Sequence, residues 1–167
     1  FGIAAIPAYF LSTLWADIPG WLYGAVIIAA FLQIAGWYYF IKLIREYLSQ
    51  LRVSFSKLVL LLFLAVALAL SLKLILQLGS TVPAISKLAY SFRPIVIAYL
   101  HLVLLLIISV FLLSFLYGTG LLRQNKPTRI ALLIFAIGVI LNEAVLAIQG
   151  IWSFSYTVIP YANEALF

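Results

Sequence analysis

Three ionisable residues, Lys73, His101 and Glu143, interrupt long apolar runs of this chain. Each side chain can hold or pass a proton, and an imidazole can also ligate a metal or a haem iron. His101 is the sole histidine and sits inside VIAYLHLVLLLIISVFLLSF, residues 96–115. Its helical neighbours Ile97, Ala98, Leu104 and Leu105 are apolar, so its own helix offers it no polar side chain. Lys73 precedes Ser80 by seven residues, His101 follows Pro94 by seven, and Glu143 precedes Gly150 by seven. With a helical rise of about 1.5 Å per residue, all three are expected roughly 10 Å below one membrane boundary, in a common layer. Gln77, one turn from Lys73, and Asn142 and Gln149 on the last run add hydrogen-bonding capacity to that layer.

Charges at membrane depth are costly, so they face a bundle interior, a cavity or one another. A Lys73–Glu143 pair would neutralise two charges that lipid tolerates poorly one at a time. The alternative for Lys73 is to snorkel, its long stem carrying the ammonium to the interface. Glu143 has a shorter stem and is expected to face protein, to be protonated, or both. Gly138, Asn142 and Gln149 recur on one side of the last run, as a helix-packing face would. The chain contains no phosphate-binding glycine loop, no dinucleotide turn, no second histidine for zinc and no carboxylate pair spaced for hydrolysis.

The elements that must position these residues follow from composition. Of 167 residues, 67% are hydrophobic and 8% charged, which is the balance of a membrane protein rather than a soluble domain. Cysteine is absent, which excludes disulfides and thiolate-bound metals. Apolar runs over 21–44, 57–79, 94–117 and 129–150 each suffice to cross a bilayer, which takes about 20 residues. A shorter run, 1–16, would span only with residues upstream of it, and 160–167 reads as the start of a further segment. The expected fold is therefore all-α and integral to the membrane, a single domain over 1–167 with about five transmembrane helices. The abrupt ends suggest a fragment of a longer chain. In the join between the second and third full runs, a short interfacial helix is expected around Pro83–Tyr90.

Charge orients the bundle. Lys42, Arg45, Arg52, Lys57, Arg123, Lys126 and Arg129 gather at one side, against Lys87 and Arg93 at the other. Positive residues mark the cytoplasmic side, so 80–93 is expected outside. The net charge of +6 is then a topology signal, and nucleic acid is not an expected partner. Trp15, Trp21, Trp37, Tyr38, Tyr39, Tyr117 and Trp152 lie near run ends, as an interfacial aromatic belt does.

The stretch VIAYLHLVLLLIISVF resembles the tenth-helix motif of the haem-copper oxidase subunit I superfamily, V-x-A-H-F-H-x-V-L, in which two histidines bind two haems. Val96, Ala98, His101, Val103 and Leu104 match, and Tyr99 stands where the first histidine would be. IPAYFLSTLW, LGSTVPAISKLAYSFRPIVIAYLHLVLL and NEAVLAIQG also look like the C-terminal half of uncharacterised bacterial polytopic proteins related to subunit I. The resemblance implies a larger bundle of about twelve helices in a bacterial inner membrane, with a His-rich half preceding Phe1. It implies that His101 is an axial ligand of a low-spin haem, with electron transfer or small-gas chemistry and a redox partner in a respiratory chain. Arg93 would be the nearest substitute for the arginine pair that holds haem propionates. Tyr99 in place of histidine argues against oxygen reduction at a haem–copper centre, and any copper ligands would lie in the preceding half. The second axial ligand would come from that half or from a partner subunit. The competing expectation is a transport, proton-relay or structural subunit, cofactor-free, built on the Lys73, His101 and Glu143 layer.

Overall fold

The prolines and small polar residues of the joins decide where each helix begins. The computed structural model describes residues 19–158, less the side chains at 88, 90, 93, 94, 151 and 153–158, and every regular element in it is a helix. Helix α1 spans Gly20–Glu46, α2 Leu48–Ser54, α3 Lys57–Gly79 and α4 Pro83–Ser91. A continuous helix then runs as α5 (Arg93–His101), a π-helical stretch (Leu102–Ser109) and α6 (Val110–Gly118), before α7 (Lys126–Val158). Pro83 and Pro94 occupy first-turn positions of α4 and α5, where their missing N–H costs nothing. Ser56 caps α3, its Oγ accepting from the Val59 N–H, and Asn125 Oδ1 accepts from the Thr128 N–H at 2.9 Å to open α7. After α6 the chain reverses through Gly120, whose φ of 78° suits a residue without a Cβ.

Among the described residues four helices are long and apolar enough to cross a membrane: α1, α3, the α5–π–α6 helix and α7. Contacts at their ends show that sequential neighbours run antiparallel. The Tyr23 hydroxyl at the start of α1 donates to the Thr81 carbonyl just past α3, and the Trp37 Nε1 donates to Ser71 Oγ at 2.9 Å. Gly118 at the end of α6 lies against Phe55 and Val59 at the start of α3. Gly150 on α7 faces Ile95 on α5. All the basic joins therefore sit at one end of the bundle, here the basic end, and α4 lies at the far end, packed on α5.

The main core lies between α3, the π stretch, α6 and α7: Leu58, Val59, Leu62, Val66, Ala69, Leu102, Leu106, Val110, Leu132, Ala136 and Val139. Val26, Ala29 and Ala30 pack α1 on α3 as a smaller cluster. The outward faces are as apolar as the inward ones, with Phe31, Leu61, Leu68, Ile134 and Leu141 all exposed. Helices apolar all round are what a lipid solvent requires.

The described helices differ from the expected bounds in two places. The stretch after Glu46, expected as a plain join, forms α2; it contains neither Gly nor Pro, and Phe55 ends it in an extended conformation. The last run does not stop at Gly150 but continues to Val158, because Gly150 is a buried interior residue packed on Ile95 rather than a terminator. The expected helix around Pro83–Tyr90 is present as α4. The expected segments 1–16 and 160–167 lie outside the described residues.

Candidate functional site

His101 ends α5 at the point where the helix widens into its π stretch. Its Nδ1 lies 2.9 Å from the Ile97 carbonyl oxygen. A carbonyl can only accept, so Nδ1 carries the proton, and in the neutral ring Nε2 is the nitrogen left to accept a proton or a metal. Ser109, closing the π stretch, donates its hydroxyl to the Leu104 carbonyl at 2.8 Å, five residues back, which matches the wide hydrogen-bond spacing there.

The facing helix brings up Glu143. From the Ile95–Gly150 contact, His101 is six residues along α5 and Glu143 seven residues back along α7, so the two arrive at one level. His101 is the ionisable group that acts electrostatically on Glu143. The Glu143 Oε1 atom is buried and has no hydrogen-bond partner.

Lys73 is half-buried on α3, on the stripe that carries Leu62, Val66 and Ala69 toward the π stretch. Counted from the Gly118–Phe55 contact it stands within about a turn of His101's level. No charged neighbour among the described residues bears on its ammonium. Of the two alternatives for Lys73, the ion pair with Glu143 is not formed here: Glu143 Oε1 has no hydrogen-bond partner, and His101 shares its level without a hydrogen bond to it. Gln77, one turn on, also has a buried Oε1 with no partner. Asn142 is exposed on α7, and Gln149 is exposed but hydrogen-bonded or otherwise engaged, as is Tyr99. Arg93 opens α5, its side chain outside the described ones.

One residue of the layer escaped the sequence reading. Gln33 on α1 is 4% exposed, with its Oε1 unpartnered, between the Tyr23–Thr81 and Trp37–Ser71 contacts and so close to the level of Lys73. It is the strongly polar side chain within AVIIAAFLQIAGW, a signal that could have marked it.

For a haem, these residues supply one axial nitrogen, held by a backbone hydrogen bond as metal-bound imidazoles commonly are. For copper they supply too little: among the described residues no group of three His, Cys, Asp or Glu could hold a metal ion. No family model matches the chain, and neither curated proteins nor solved structures give a significant match.

Proposed function

We propose that this chain is a proton-handling part of a multi-pass membrane protein, with His101 and Glu143 as the exchanging pair. The observation that carries this reading is the buried, unpartnered Glu143 oxygen at the level of an imidazole whose Nε2 is free to accept. In the exchange, the Glu143 carboxyl O–H bond breaks as its proton passes to a bridging water, that water gives one of its own protons to Nε2, and a carboxylate–imidazolium pair results. The reverse step restores the two neutral groups, which lipid tolerates better. The basic end would face the cytoplasm of a bacterial inner membrane.

The test is proton flux into liposomes that contain the protein and a trapped pH-sensitive dye, driven by a potassium diffusion potential. Flux above that of empty liposomes, cut at least tenfold by Glu143→Gln and by His101→Ala, is the expected result. Undiminished flux in Glu143→Gln would remove the carboxyl from the path.

A second reading rests on the resemblance and on the Nδ1 bond to Ile97, which presents Nε2 as an iron ligand. Haem would supply one-electron or gas-binding chemistry, with the second axial ligand and a redox partner from residues outside those described or from another subunit. The two readings exclude each other at one atom, since an iron-bound Nε2 cannot accept a proton. Oxidised and dithionite-reduced absorption spectra after expression with haem available separate them. A Soret band lost in His101→Ala would favour the haem reading, and its absence after added haem would end it.

A further inference from the structure

Four buried side-chain oxygens lack a hydrogen-bond partner among the described residues: Gln33 Oε1, Gln77 Oε1, Ser86 Oγ and Glu143 Oε1. Their distribution is one-sided. Ser86, 0% exposed, lies in α4 at the far end. Gln77 belongs to the last turn of α3, at the same end, and Gln33 and Glu143 lie at the level of Lys73 and His101. Toward the basic end the interior is the apolar core of Leu58, Val59, Leu62, Val66, Leu106, Val110 and Leu132. The buried polar side chain there, Ser114, is satisfied by its own helix through Val110 O at 2.6 Å.

Buried polar oxygens without partners are rare, and each one calls for a donor the protein does not itself provide. Water is the donor that fits several such oxygens spaced from the surface inward, since each molecule needs two to four polar partners. We infer that water enters the bundle from the far end only, passing Ser86 on α4 and Gln77 on α3 and ending at His101 and Glu143. The core below closes the path to the basic end. This deepens the proton-handling reading and rests on it for its purpose: in this conformation the pair exchanges protons with the far-side solution, and net flux across the membrane requires the apolar core to open in a second conformation.

The chain has no cysteine, so single cysteines can report access without background. Gln77→Cys, Ser86→Cys, Val66→Cys and Leu106→Cys would be made singly, with Lys87→Cys marking the exposed far end and Leu121→Cys the exposed basic end. Sealed vesicles of the protein are treated with a small, charged, membrane-impermeant thiol reagent, and folding is checked by size-exclusion chromatography. Labelling of Gln77→Cys and Ser86→Cys in the vesicle orientation that labels Lys87→Cys, at least tenfold above Val66→Cys and Leu106→Cys, is expected. Folded Gln77→Cys and Ser86→Cys proteins that stay unlabelled while Lys87→Cys reacts would overturn the inference. So would labelling in the orientation that marks Leu121→Cys. Access and flux fail separately: labelled cysteines without proton flux would leave the water path standing and remove the relay.

Discussion

Gly118 and Phe55 meet with no room for a methyl group: a Cβ on Gly118 would come within 2.8 Å of Phe55 Cδ1 and 2.9 Å of Cε1. Val59 Cγ1 would be 3.1 Å away on the same side. The contact fastens α6 to the start of α3 and sets the register from which Lys73 and His101 reach a common level. Gly118→Ala is expected to destabilise the protein by about 1–3 kcal/mol, the usual range for overpacking. Gly138, with nothing within 4 Å of its added Cβ, is the control. Gly138→Ala is expected to be neutral or stabilising by up to about 1 kcal/mol through helix propensity. Thermal unfolding in detergent, followed by circular dichroism, compares the two; equal melting temperatures would contradict the packing argument.

The hydrogen bond from Trp37 to Ser71 ties α1 to α3 across the half-buried part of their contact. Ser71 donates its own hydroxyl to the Ala67 carbonyl at 2.8 Å, which orients its lone pairs toward the indole. Interhelical hydrogen bonds in bilayers contribute about 0.6 kcal/mol on average. Trp37→Phe and Ser71→Ala, with the double variant, should show a coupling of about that size in steric-trap or denaturant unfolding. Strict additivity would mean that the bond is idle.

Much of the fold was legible because lipid imposes a simple rule. Four apolar runs became four helices, and Pro83 and Pro94 marked helix starts. What was hidden has a physical reason in each case. Gly150 reads as a terminator in a string of letters, but against Ile95 it is a packed interior position. The π stretch lies in LVLLLIIS, where nothing in side-chain type distinguishes π from α. The depth of Lys73, His101 and Glu143 could be counted from the sequence. Their azimuths could not, which is why the sequence left open whether Lys73 meets the Glu143 carboxyl or snorkels to the interface.

The π stretch itself is open to test. Deleting two residues within Leu102–Ser109 should leave an α-helical stretch one residue shorter than the α-helix that would match the phase of the π turns, and turn α5 relative to α6 by roughly 100°, the angle per residue of an α-helix. His101 would then leave Glu143 while the core at Val110 and Tyr117 stays in place. Helicity should be preserved and proton flux lost. Flux that survives the deletion would separate the relay from the imidazole's orientation. Ser109→Ala removes only the Leu104 bond and is expected to cost about 1 kcal/mol or less.

Above the π stretch, α5 packs chiefly on α7; below it, α6 packs chiefly on α3. A uniform α-helix would carry one phase along its whole length, and any adjustment that suited one neighbour would disturb the other. The wide turns act as a slip joint between two independently indexed segments. Substitutions that refine the grip of Val110 and Tyr117 on α3 leave the bearing of His101 untouched, and the histidine's aim can be retuned without loosening the anchor beneath it.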